Sequence, residues 1–192
     1  MTARTHDLAA ITALGLLALS VTFPTITLST AILAIVANLF GGIMPDIDQP
    51  TAPLWRNLPV GKYVGRIFDK MSGGHRFLTH SLLGLAIFGV LVHFLLIFLH
   101  PIMPKTNITI LWWAFMVGML SHLVMDTFTK EGVPWLLPIP VKFCIPPFKD
   151  WRITAGSNVE KWILFPMLLV FNFWFYSRHY QQILFILHHK IT

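Results

Sequence analysis

Five long apolar stretches decide what this chain can fold into. Residues 8–23, 26–44, 81–99, 108–128 and 162–176 contain a single Asp, Glu, Lys or Arg between them, Asp126. A helix of about 20 apolar residues crosses a hydrocarbon core, and inside that core only helices or closed barrels satisfy every backbone group. Of the 192 residues, 55% are hydrophobic and 11% charged, whereas soluble domains carry about 25% charged residues. The pattern predicts an all-α membrane protein, a single polytopic domain over 1–192. It is expected to be a helical bundle of about five transmembrane segments, with cytoplasmic loops 45–80 and 129–161, a cytoplasmic-side polar site and an interfacial helix. A lone cysteine, Cys144, excludes an intrachain disulfide.

The first two stretches, read as one helix, would run ~54 Å, too long for a ~30 Å core. Pro24 and the flanking threonines of TFPTIT break them into a tight pair of helices; a re-entrant hairpin is the alternative. A cleaved signal peptide is disfavoured, because the apolar character continues past Pro24 with no clear small-residue cleavage site. Basic residues then set the orientation. One side collects Arg4, Arg56, Lys62, Arg66, Lys70, Arg76, Lys130, Lys142, Lys149, Arg152 and Lys161, eleven of the 14 Lys and Arg. The other holds Lys105, Arg178 and Lys190. The positive-inside bias places the rich side in the cytoplasm, with the N-terminus in and the C-terminus out. The formal net charge of +6 is then a membrane-surface feature. No nucleic-acid recognition motif accompanies it.

Against that map the remaining polar residues gather at one end. His6 opens the first segment, and Asp46 and Asp48 of PDIDQP close the second. His75 and His80 of HRFLTH precede the third, His122 and Asp126 of SHLVMD end the fourth, and Glu160 starts the fifth. Each has an ordinary reading: a helix-face hydrogen bond for His122 and Asp126, a turn for Asp-x-Asp, a helix cap for Glu160. Together they place four histidines and four carboxylates at one depth. Buried carboxylates beside neutral histidines need a cation. Imidazole and carboxylate without thiolate suit zinc, manganese or ferrous iron, and eight candidates exceed one tetrahedral shell. Either two ions bind, or some candidates orient the ligands from behind. The expected metal set is His6, Asp46, Asp48, His75, His80, His122, Asp126 and Glu160. Asp48 and Glu160 are the expected catalytic carboxylates, with Glu160 handling protons. His93, His100, His179, His188 and His189 read as structural.

The motifs PDIDQP, HRFLTHS, GMLSHLVMD followed by GVPWLLP, and GSNVE resemble the YdjM-like family of LexA-regulated proteins of the inner membrane, assigned as metal-dependent hydrolases. The resemblance runs from His6 to about Glu160, and it implies those same eight positions. Phe77 stands where the family pattern has glycine after His-Arg, and Lys130 where a proline usually follows Thr129.

Two further features bear on the substrate. Val60, Val64, Ile67, Phe68 and Met71 share a helix face opposite Lys62, Arg66, Asp69 and Lys70, which suits an interfacial helix lying on anionic headgroups or, equally, a helix packed on the bundle. The apolar run 133–148, punctuated by Pro134, Pro138, Pro140, Pro146 and Pro147, cannot be a membrane helix. It reads as a membrane-contacting flap. A metal-dependent hydrolase acting on a lipid or lipid-linked (phospho)ester through a metal-activated water is the expected function. A divalent-metal transporter and a non-catalytic protein with a structural metal are the alternatives.

Overall fold

The computed structural model describes the chain apart from residues 23, 51, 53, 54, 56–58, 60, 62, 64, 68–75, 140 and 192. The α-helices that lie wholly within the described residues are α1 (Ala3–Ser20), α2 (Leu28–Ile43), α3 (Leu82–Leu99), α4 (Ile108–Thr127), α5 (Phe165–Arg178) and α6 (Tyr180–His189). Local chemistry sets several starts. Thr27 caps α2 by accepting from the Thr30 amide at 3.2 Å, and Ser81 caps α3 from Gly84 at 3.0 Å. Asn107 caps α4 from Thr109 and Ile110 at 3.1 and 3.2 Å. The break expected at Pro24 separates α1 from α2.

Polarity is arranged for lipid. Large apolar side chains such as Val90, Phe94 and Phe98 of α3 point outward, while Thr5, His6, Asn38, His80, His122, Asp126 and Glu160 are buried. The molecule is an all-α membrane fold. Among the described residues, three stretches are long and apolar enough to cross a bilayer: Leu28–Asp48, Leu82–Ile102 and Ile108–Thr127.

Helix α4 is the central strut, packed mainly on α2 and also on α1 and α3. The α2–α4 approach is close because it is made by glycine. A Cβ at Gly118 would run into the Asn38 carbonyl oxygen, and one at Gly41 into the Phe115 carbonyl oxygen. Small residues that let backbones meet are the usual device for packing helices in lipid. Asn38 Nδ2 then donates across the interface to the Ala114 carbonyl at 3.0 Å. We expect Gly118→Ala to cost about 1–3 kcal/mol, because the obstructing atom is backbone and cannot swing away. Gly15→Ala meets only the end of the Tyr176 side chain and should cost less. Thermal melting of both variants in detergent checks the contrast; equal melting shifts would show that the α2–α4 approach is not tight.

Helix α5 continues from a π-helical turn, Glu160–Leu164, and is tied to α1 by Asn172 Nδ2 donating to Thr12 Oγ1 at 2.7 Å. Much of the 133–148 run is non-helical, as its prolines require. Val133 and Phe143 exchange backbone hydrogen bonds of 3.0 and 2.9 Å, and Leu136, Ile139, Val141 and Ile145 are exposed. The expected interfacial helix lies mostly outside the described residues; of its apolar face only Ile67 is seen, and it is exposed.

Candidate metal centre

The centre is assembled where the ends of α2 and α4, the start of α1 and the loop before α3 meet. Beyond Ile43 the chain tightens into a 3₁₀ turn, Met44–Asp48, with Pro45 in its first turn. Three residues per turn send Asp46 and Asp48, two apart, in different directions. Asp46 is partly exposed and faces His80 and His122; Asp48 is fully buried on the far side of His80.

His122 is fixed by the glycine-mediated helix contact. Its Nδ1 lies 2.6 Å from the Gly42 carbonyl oxygen. That oxygen only accepts, so Nδ1 carries a proton and Nε2 is left facing inward. His80 is fixed from the other direction. The Thr79 hydroxyl donates to Asp48 Oδ2 at 2.5 Å, so Thr79 Oγ1 accepts from His80 Nδ1 at 3.0 Å. Asp48 Oδ2 is itself 3.5 Å from that nitrogen and takes the Arg76 amide at 2.9 Å. A carboxylate behind a histidine, holding one ring nitrogen so that the other faces inward, is the arrangement that orients metal-binding imidazoles.

Four imidazole–carboxylate separations across the centre are then alike. His80 Nε2 lies 3.6 Å from Asp46 Oδ1 and 3.7 Å from Asp126 Oδ2. His122 Nε2 lies 3.7 Å from Asp46 Oδ1 and 3.6 Å from Asp126 Oδ2. These separations are too long for hydrogen bonds. Tetrahedral bonds of 2.0–2.2 Å imply ligand–ligand edges of about 3.3–3.6 Å, close to what is seen. The residues therefore fit a metal ion: His6, His122 and Asp126 form one group whose ligand atoms converge, and Asp46, His80 and His122 form another. Both groups draw on the same His122, which has one inward nitrogen to give.

His6 stands beside this set. Its ring stacks on His122 with centroids 3.6 Å apart and planes within 8°, and its Nε2 is 3.3 Å from Asp126 Oδ1. Among the described residues neither nitrogen of His6, nor Nε2 of His122, has a hydrogen-bond partner. Buried ring nitrogens left this way are costly, and a cation would use them. Arg76 Nη2 and the Met1 ammonium each lie 2.7 Å from Asp126. Burial alone would lower the pKa of His80, but the neighbouring carboxylates Asp46 and Asp48 outweigh it and raise it above the ordinary value.

The structure thus brings His6, Asp46, His80, His122 and Asp126 together, sets Asp48 behind His80, and takes Glu160 elsewhere. Neither Asp48 nor Glu160 is in a converging group among the described residues. Glu160 sits at the start of α1, with Oε1 accepting from the Thr2 amide at 2.6 Å and Oε2 from the Gly156 amide at 2.6 Å. Burial would raise its pKa, but the hydrogen bonds from Thr2, Thr5 and Gly156 lower it below the ordinary range. His75 lies outside the described residues.

Arg76 was not legible as part of the site. Counted by sequence among the surface cations, it is buried; besides Asp126 it reaches Thr129 Oγ1 at 2.7 Å and Glu131 at 3.3 Å. It adopts φ +59°, a left-handed conformation uncommon outside glycine. The turn at HRF therefore bends at Arg76, and Phe77 follows with no positive φ of its own. At the other departure from the family pattern, the Lys130 amide, which a proline would lack, donates to the Ile153 carbonyl at 3.0 Å.

Apolar helices that carry a buried, mixed imidazole–carboxylate cluster at their ends define a helical membrane protein able to hold a metal ion. The family model described as "YdjM inner membrane protein" matches residues 1–183, and the chain belongs to that family. It is 29% identical to "Uncharacterized protein YvsG" of Bacillus subtilis (strain 168) over 146 residues, 76% of this chain and 79% of that protein. It is 32% identical to "Inner membrane protein YdjM" of Escherichia coli (strain K12) over 134 residues, 69% of this chain and 61% of that protein. The YdjM protein of Shigella flexneri gives the same figures. The match therefore spans less than two thirds of the YdjM proteins' own length. No solved structure matches the chain.

Proposed function

We propose that this protein is a membrane-bound metal-dependent hydrolase acting on a lipid or lipid-linked ester. The observation that carries the reading is the set of matched 3.6–3.7 Å separations that join His80 Nε2 and His122 Nε2 to Asp46 Oδ1 and Asp126 Oδ2. Those four residues would hold the ion, with His6 alongside and Asp48 orienting His80. Imidazole with carboxylate and no thiolate suits zinc or manganese. Such an ion supplies Lewis acidity to a phosphoryl or carbonyl oxygen. Asp46, at 21% side-chain exposure, is the accessible member of the set, while His80, His122 and Asp126 are fully buried. The site lies at the ends of two membrane helices, beside a loop with exposed apolar residues, which favours an amphiphilic substrate over a free polar one. The complete burial of three of the four residues favours a second reading, a purely structural metal.

Turnover separates the two readings. Purified protein supplied with zinc or manganese should hydrolyse a member of a panel of lipid phosphoesters and carboxyl esters. The same preparation of His122→Ala should not. A metal-loaded protein inert across the panel would favour the structural reading.

The same reading has five crossings, with the site on the cytoplasmic side. A C-terminal alkaline phosphatase fusion should then be active, and a C-terminal fluorescent-protein fusion of the kind that fails outside the cytoplasm should be dark. The reverse pattern would put both termini on one side and remove a crossing.

A further inference from the structure

We propose that Glu160 is a positioning residue: its carboxylate holds the start of α1 and thereby sets His6 against the metal centre. This rests on the metal reading above. Thr2 is the N-cap of helix α1, and its side chain makes no capping bond to that helix. First-turn amides need acceptors, and here the acceptor comes from 158 residues away. Glu160 Oε1 takes the Thr2 amide at 2.6 Å, the Thr2 hydroxyl at 2.8 Å and the Thr5 hydroxyl at 2.7 Å. Oε2 takes the Gly156 amide at 2.6 Å. Gly156 has φ +73°, a conformation glycine adopts without penalty, so the loop before Glu160 can turn its amide back onto the carboxylate. An anion at a helix N-terminus is also favoured by the helix dipole.

The link to His6 is short. Thr2, pinned through its amide and hydroxyl, gives its carbonyl to the His6 amide at 3.2 Å. Thr5, pinned through its hydroxyl, is the residue before His6. The His6 ring has no hydrogen bond of its own among the described residues. Its place, stacked at 3.6 Å on His122 with Nε2 3.3 Å from Asp126 Oδ1, is therefore set by its backbone and by those two contacts. With both carboxylate oxygens occupied by four donors, Glu160 acts on the centre through α1, rather than by carrying protons as the sequence led one to expect.

The test uses the full-length protein in detergent or nanodiscs, titrated with Co²⁺ and read by its visible absorption. Glu160→Gln keeps the size but places an amide NH₂ where one oxygen met donors. It should weaken Co²⁺ binding by the same factor as His6→Ala, roughly 10–100-fold, with the same altered spectrum. The double variant should be no weaker than either single one. Thr5→Val should shift binding in the same direction, and Thr5→Ser, which keeps the hydroxyl, should not. Independent, multiplying losses in the double variant would overturn the proposal, as would a Glu160→Gln spectrum identical to wild type while that of His6→Ala changes. A second readout stands apart from metal: diethylpyrocarbonate labelling of His6, followed by mass spectrometry. His6 is 1% exposed and should be protected in the wild type and labelled in Glu160→Gln. If the wild type takes no Co²⁺, the metal reading fails, and labelling still decides the positioning claim. Unchanged protection of His6 in Glu160→Gln would then reject it.

Discussion

His122→Ala is expected to lose metal binding more completely than any other single change in the chain. His122 is the member common to both converging groups, and its ring is the surface on which His6 stacks. Removing it leaves Asp46 and Asp126, each near its Nε2, with one imidazole fewer between them, so repulsion between the acids adds to the lost bond. Alanine is the best helix former, so the backbone of α4 should tolerate the change. Affinity should fall by well over the 10–100-fold typical of losing an outer partner. Metal titration of the purified variant, with circular dichroism to show that its helices remain, checks this. A variant that keeps near-normal affinity would remove His122 from the coordination shell.

Asp48→Asn is expected to cost about 10–100-fold in metal affinity without removing a ligand, a smaller loss than that of His80→Ala. Asp48 Oδ2 accepts from the Arg76 amide at 2.9 Å and the Thr79 hydroxyl at 2.5 Å. It also stands 3.5 Å from His80 Nδ1. Asparagine keeps the volume but removes the charge that makes His80 a stronger donor to a cation. The Co²⁺ spectrum should keep its intensity, because the coordination number is unchanged, while the titration midpoint moves to higher metal. If Asp48 were itself a ligand, the loss would match that of His80→Ala and the spectrum would change in intensity. Titrating Asp48→Asn and His80→Ala side by side separates the two roles.

Much of this was readable in the sequence, and the reasons divide cleanly. Runs of uncharged residues fix the helices of a membrane protein because lipid permits no other backbone arrangement there. The polar residues of those runs must then meet, and His122 and Asp126, four apart on α4, had to share one face. What could not be read was direction within irregular segments. Asp46 and Asp48 look alike in PDIDQP, and only the 3₁₀ turn shows that one faces His122 while the other stands behind His80. Glu160 starts its helix, as expected, but its partners Thr2 and Thr5 lie more than 150 residues away, and no local pattern announces that pairing. Arg76 carried the same signal as any loop cation; its burial depends on Asp126, Thr129 and Glu131, which only the fold brings near. The close approach at Gly41 and Gly118, which puts the Gly42 carbonyl against His122, is a property of two helices together and of neither alone.

The most direct measurement is metal stoichiometry with X-ray absorption on the full-length protein, purified without chelators and reconstituted with zinc, manganese or cobalt in parallel. With at least one of these metals the protein should take up bound ion at a fixed stoichiometry, with nitrogen and oxygen neighbours near 2.0–2.2 Å for zinc and the outer-ring scattering of coordinated imidazole. His122→Ala should take up none that survives dialysis. A wild-type protein that retains none of these metals, or one whose bound metal shows no imidazole scattering and is unaffected by His122→Ala, would contradict the central claim that these helix ends were brought together around a cation.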